Sequence, residues 1–146
     1  KWYGRVRVGT GDSFAVAIPA AVAIGRVACF TNGCCYGVAT SLRWGVDFGD
    51  GIVRHPTQLY ESLFHLGCAA VLAALRRDTL LVGHLFKLYL ITYSVYRFAT
   101  EWIRPEAKLW GGWTGYQWAA VVMAVVFGLL WWHESRGGQP EAGPVG

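Results

Sequence analysis

Apolar residues gather along this chain into four long runs, separated by short stretches rich in Gly, Pro and charge. The first is residues 13–30 (SFAVAIPAAVAIGRVACF), the second residues 57–75 (TQLYESLFHLGCAAVLAAL), the third residues 83–102 (GHLFKLYLITYSVYRFATEW) and the fourth residues 115–133 (GYQWAAVVMAVVFGLLWWH). Each is close to the ~20 residues that a helix needs to cross a bilayer. The pattern predicts an all-α, polytopic integral membrane protein: one membrane domain over residues 1–146, with about four transmembrane helices and one structured outer loop. Pro19 removes a hydrogen bond from the first span, which membrane helices tolerate when a neighbour satisfies the freed carbonyl. Residues 31–56 are rich in Gly, Asp and turn formers, and the FGDG turn between WGVDF and IVRHP predicts a short hairpin there. Residues 134–146 (ESRGGQPEAGPVG) predict a disordered tail.

The polar interruptions are more informative than the runs themselves. Arg26 falls inside the first span, where an arginine costs about 2.5–3.5 kcal/mol on insertion scales and faces a polar cavity or a partner. The plainer alternative is a helix-end arginine that reaches for headgroup phosphates. In the second span Gln58, Glu61 and His65 recur at helical spacing on one face. In the third, Tyr93, Arg97, Glu101 and Arg104 follow at intervals of four, four and three, again on one face. An intrahelical Arg97–Glu101 pair explains part of that stripe. On a membrane helix, however, lipid-facing charges are rare and interior ones mark function.

Composition agrees with the pattern. Of 146 residues 54% are hydrophobic and 15% charged, and the mean hydropathy is +0.33, too apolar for an ordinary soluble domain. Trp and Tyr cluster beside the run ends, as interfacial anchors do. The net charge of +4 therefore concerns topology and anionic lipid; no basic stripe or motif points to nucleic acid. With four spans, Lys1, Arg5, Arg7, Arg76, Arg77, Lys87 and Arg136 collect on one side and Arg43, Arg54, Arg104 and Lys108 on the other. The excess makes the first side cytoplasmic. The cysteine-bearing loop, His55 and the end of the Tyr93–Arg104 stripe then meet at the outer leaflet, as a site for lipid headgroups and an exported substrate requires. The sequence has no initiator Met and no secretory signal pattern, and reads as the later part of a longer protein.

Three strings in order carry a resemblance: GR-x-x-x-F-x-N-G-x-x-Y-G at residues 25–37, HPTQLYE at residues 55–61 and Y-x-x-x-RF-x-x-E-x-x-RP at residues 93–105. Together they resemble the prolipoprotein diacylglyceryl transferase family. The resemblance implies a polytopic enzyme of the bacterial inner membrane that needs no cofactor. It would move the diacylglyceryl group of phosphatidylglycerol onto the lipobox cysteine thiol of a prolipoprotein signal peptide. On the matching positions, Arg26, Arg97, Glu61 and Glu101 are the expected catalytic residues. Arg26, Asn32, Gly37, Gln58, Tyr93, Arg97 and Arg104 are the expected substrate-binding residues. The two arginines suit the grip on a departing phosphate, since guanidinium groups bind it bidentately. Glu61 and Glu101 are each open to two roles, salt-bridge partner or direct participant.

The family motif has an asparagine where this chain has Cys29 and a glutamate where it has Cys34. It also implies N-terminal spans with a histidine-glycine motif carrying a proposed base. Nothing here matches that motif, so His55, His65, His84 and His133 are not assigned to that role. The expected partners are thus phosphatidylglycerol and other membrane lipid, the prolipoprotein and those missing N-terminal spans, with no nucleic acid. Cys29, Cys34 and Cys35 leave three readings: packing residues in a crowded turn, a disulfide from Cys29 to Cys34 or Cys35, and a redox role. Cys68 reads as a packing residue. No metal is expected, because a zinc site wants two ligand pairs and only one cluster exists. A non-catalytic lipid-binding membrane module and a thiol-redox membrane protein are the competing readings of the whole.

Overall fold

A computed structural model describes residues 10–76, 81 and 83–136. Among them lie four α-helices: α1 (Thr10–Thr31), α2 (Thr57–Leu75), α3 (Leu85–Thr100) and α4 (Gly115–Arg136). The sequence places all four, with ends displaced by a few residues. α1, α2 and α4 are each long and apolar enough to cross a membrane. α3 has 16 residues, about 24 Å of helix. The 3-10 turn Glu101–Ile103 that continues it adds about 6 Å, bringing the element to the ~30 Å of a hydrocarbon core. This is a multi-pass membrane protein.

α1 packs mainly on α2 and α3 mainly on α4, while α1 also touches α3. Helices consecutive in the chain run antiparallel, and α1 and α3, whose starts meet, run parallel. At one end Asp12, near the start of α1, accepts hydrogen bonds from the backbone N–H groups of Gly83 and Leu85. It thereby satisfies the orphaned amide of Leu85, the first residue of α3, and that of Gly83 just before the helix. Lys87 of α3 pairs with Glu134 of α4 at the same end. The small hydrophobic core sits there too, built from Ala15, Leu72, Leu85 and Tyr89.

Burial is inverted relative to a soluble protein. Gln58, Glu61 and His65 are 0, 2 and 0% exposed, whereas Ile24 and Leu63 are 72 and 69% exposed. Polar groups inside and apolar groups outside suit lipid as the surrounding solvent. The predicted stripe on α2 is thus a single buried face.

Three expectations need correction. Arg104 does not continue the helical face of α3: the backbone turns extended there (φ −105°, ψ 144°), because Pro105 disfavours the helical region for the residue before it. The tail begins later than expected, since α4 runs on to Arg136 with Glu134 held by Lys87; the rest of the tail lies outside the described residues. α1 begins at Thr10 and not at residue 13.

The predicted hairpin is present. β1 (Val46–Asp47) pairs antiparallel with β2 (Val53–Arg54), and the turn is organised by Asp47, whose Oδ1 accepts from the N–H groups of Gly49, Asp50 and Gly51. The loop before it enters through a Schellman motif at the end of α1. Cys34 N–H donates to Cys29 O and Gly33 N–H to Phe30 O, each at 3.1 Å, with Gly33 left-handed at φ 63°. Gly37 then passes so close to the chain that a Cβ there would lie 2.6 Å from Ile103 O and 2.8 Å from both His55 Cβ and Thr57 Cγ2. Only glycine fits that crossing.

Candidate active site

The end of the bundle opposite the Asp12 cap holds a cavity of about 630 Å³. Three arginines from three segments line it: Arg26 from α1, Arg97 from α3 and Arg104 from the segment after the 3-10 turn. Tyr93, Ser94, Glu106 and Tyr116 share the polar part of the wall, and Leu90, Ala120 and Met123 the apolar part. A cationic head region beside an apolar wall is the shape of an amphiphile.

Glu61 of α2 binds the first part of this arrangement together. Its Oε1 accepts from Arg26 Nη2 and from the Tyr93 hydroxyl, both at 2.8 Å. Its Oε2 lies 3.5 Å from Arg104 Nη2. His65, one turn on, brings Nε2 to 3.8 Å from Glu61 Oε1 while its Nδ1 meets the Tyr89 hydroxyl at 3.1 Å. One buried carboxylate therefore orients two cations and a phenol drawn from separate elements, and its oxygens face groups that neutralise it.

Arg97 has a second carboxylate of its own. Its Nη2 is 3.2 Å from Glu101 Oε2, and its guanidinium carbon sits 4.9 Å from the centre of the Tyr116 ring, within cation–π range. Glu101 is in turn held by Thr114, whose hydroxyl donates to Glu101 Oε1 at 2.9 Å. Thr114 caps α4: it accepts from Gln117 N–H at 3.3 Å, and Gln117 Oε1 accepts from Thr114 N–H at 3.0 Å. This is a capping box. Arg97 Nη1 is buried and has no hydrogen-bond partner, whereas Arg104 Nη2, buried as well, has only the long 3.5 Å approach to Glu61 Oε2.

Such unsatisfied guanidinium groups in a lined cavity suit an anion. The family model described as prolipoprotein diacylglyceryl transferase matches residues 2–133. The chain belongs to this family. A relative in Clostridioides difficile (strain 630), named phosphatidylglycerol–prolipoprotein diacylglyceryl transferase, is 38% identical over 100 residues, covering 68% of this chain and 40% of its own. One of the same name in Wolinella succinogenes is 34% identical over 125 residues, 82% of this chain and 46% of its own. In Streptomyces coelicolor a relative named phosphatidylglycerol–prolipoprotein diacylglyceryl transferase 2 is 38% identical over 123 residues, 77% of this chain and 39% of its own. The chain thus spans less than half the length of these relatives. No solved structure matches it.

Of the residues expected from the family motifs, Arg26, Glu61, Tyr93, Arg97, Glu101 and Arg104 converge on the cavity or its immediate supports. The other three stand apart from the cavity lining. Asn32 is exposed, at the cap position of the Schellman motif, where the αL turn directs the chain away from the bundle. Gly37 is the close crossing already described. Gln58 is buried and donates from Nε2 to Cys34 O at 2.5 Å, so it holds the loop. Thr57 does the same for Cys35 O at 2.9 Å.

The sequence reading left out Thr114 and Gln117, although T-G-Y-Q is a legible capping box. It also left out Tyr116, for which no local signal exists. All four cysteines are free thiols, and neither disulfide considered from the sequence is formed. The Sγ atoms of Cys29, Cys34 and Cys35 nonetheless lie within 4.8 Å of one another. Outside the membrane, Arg54 Nη1 donates to Asp50 Oδ1 at 2.6 Å and holds that carboxyl below the usual carboxylate range.

Proposed function

We propose that this chain takes part in transferring the diacylglyceryl group of phosphatidylglycerol to the lipobox cysteine thiol of prolipoproteins, at the outer leaflet of the bacterial inner membrane. The observation that carries the reading is the convergence of Arg26, Arg97 and Arg104 on one cavity. Arg97 Nη1 there lacks a partner, and Arg104 Nη2 has only a 3.5 Å approach to Glu61 Oε2. In the reaction the acceptor's thiolate forms a C–S bond with a glyceryl carbon, the C–O bond to the phosphate breaks, and glycerol phosphate leaves with the electron pair. The step therefore needs cations placed where charge gathers on the departing oxygen, and preorganised ones act most strongly in a site that excludes water.

Arg97 supplies an unpaired N–H group, Arg104 a loosely held one, and Arg26 completes the cationic wall. Glu61 and Glu101 act as positioning residues that fix the three guanidinium groups before the lipid arrives. This reading resolves the two roles left open for the glutamates in favour of the ion pair. The apolar wall of Leu90, Ala120 and Met123 takes the first part of the acyl chains.

The test uses the intact gene product in membranes, labelled phosphatidylglycerol, and a lipobox peptide carrying cysteine or serine. Label should move to the cysteine peptide alone. Arg26→Ala and Arg97→Ala should each abolish transfer, the loss of a phosphate-gripping group being worth at least about 10²-fold. Near-normal turnover in either variant refutes the grip.

A further inference from the structure

The cysteine turn is a second built site. Cys29 occupies the C3 position of the Schellman motif and Cys34 the C″ position, the pair whose side chains that motif brings into contact. In most helices the contact is apolar; here it is thiol on thiol. Cys35 follows directly and is held left-handed at φ 62°, the one non-glycine residue with positive φ among those described. The conformation is uncommon for a residue with a Cβ, and it turns the third thiol into the group. The backbone of the pair is pinned from beneath by fully formed helix: Gln58 and Thr57 donate to the carbonyls of Cys34 and Cys35.

The three Sγ atoms lie within 4.8 Å of one another. A zinc ion with ~2.3 Å bonds to sulfur in tetrahedral geometry sets its ligands about 3.8 Å apart. Small rotations of the exposed Cys34 and Cys35 side chains would bring the cluster to that spacing, Cys34 Sγ giving up its 3.6 Å contact with Cys29 O. A disulfide joins only two of the three sulfurs, at ~2.05 Å, and leaves the third outside it. Cations lie close to the turn: Arg26 shares the cavity wall with Cys35 and Tyr36, and Arg54 stacks on Tyr36 at 4.6 Å.

We infer that Cys29, Cys34 and Cys35 form a three-thiolate site for a soft divalent metal ion of the zinc type, at the rim of the arginine-lined cavity. Deprotonated sulfur is the ligand, so binding releases thiol protons to solvent. The fourth position is open on the exposed side of Cys34 and Cys35, and water fills it. The inference concerns binding only and stands apart from the proposed transfer.

The experiment is a titration of the reduced, metal-free chain in detergent micelles with Co²⁺, followed by displacement with Zn²⁺. One equivalent of Co²⁺ should give the thiolate-to-cobalt absorption band and the visible bands of tetrahedral cobalt, and Zn²⁺ should erase both. Cys29→Ser, Cys34→Ser and Cys35→Ser should each weaken binding at least tenfold with unchanged far-UV circular dichroism. Cys68→Ser, in the packed shell of the hydrophobic core, should leave it unchanged. Failure to take up one equivalent, or equal uptake by all variants, would each overturn the assignment.

Discussion

If Glu61 is the joint between α1, α2 and the segment after α3, then the energy of its contacts should be strongly shared, and a double-mutant cycle on Arg26 and Glu61 measures that sharing. The two groups meet at 2.8 Å, with the glutamate side chain 2% and the arginine side chain 21% exposed. Breaking a fully buried pair from one side costs about 3–5 kcal/mol. Glu61→Gln should approach that range, because it strips the counter-charge from Arg26 and from Arg104 together. Arg26→Gln should cost less, about 2–3 kcal/mol, since its own side chain is partly solvated and Glu61 keeps Tyr93 and Arg104. The double variant should be less destabilised than the sum by about 1–3 kcal/mol, the range for groups in one network. Reversible unfolding in mixed detergent micelles, followed by far-UV circular dichroism, provides the three free-energy differences. If the single effects add to within about 0.5 kcal/mol, the limit for independent sites, Glu61 does not hold Arg26, and the positioning role assigned to it is wrong.

Gly37→Ala places a Cβ 2.6 Å from Ile103 O, and the overpacking should cost about 1–3 kcal/mol; unchanged stability in the same unfolding assay would contradict the crossing. Thr114→Val should cost about 1–3 kcal/mol by removing the cap of α4 and the hydroxyl bonded to Glu101, whereas Thr114→Ser should restore most of it. Equal behaviour of the two variants would show that the hydroxyl does not matter. The Asp50–Arg54 pair makes the hairpin turn sensitive to acid. Because the folded-state value of Asp50 is depressed, the pair's contribution is complete above the ordinary aspartate value of about 3.9. It is lost as pH falls through the lower, folded value. The Arg54 guanidinium resonances, which report the pair itself, should shift over that window in the wild type, and Asp50→Asn should remove that shift.

Much of this arrangement is legible in the residue order. Apolar run length places the four helices, and the 58/61/65 spacing identifies a face that is indeed buried. The FGDG turn locates the hairpin, since glycine and aspartate there have a mechanism for turning the chain. What the order does not carry is contact between distant segments. Periodicity puts Arg104 on the face of Arg97 as a continuing helix, yet Pro105 ends that helix, and Arg104 reaches Glu61 from an extended strand of chain. Gly37 reads as part of a motif, but its reason is the passage of Ile103 beside it, which no local pattern announces. The thiol cluster shows the same limit in reverse: ligand-pair counting on the sequence finds one group only, while the Schellman turn folds that single group into a trio.

The Asp12 cap has a consequence for how the chain enters the membrane. α1, α2 and α4 are each long and apolar enough to cross a membrane and α3 is not among them, while the amides at the start of α3 are satisfied by a carboxylate 71 and 73 residues upstream. Its seating therefore depends on a helix synthesised long before it. α1 must still be at hand, undispersed in lipid, when α3 emerges, and Asp12 is the latch that closes the two ends of that delay.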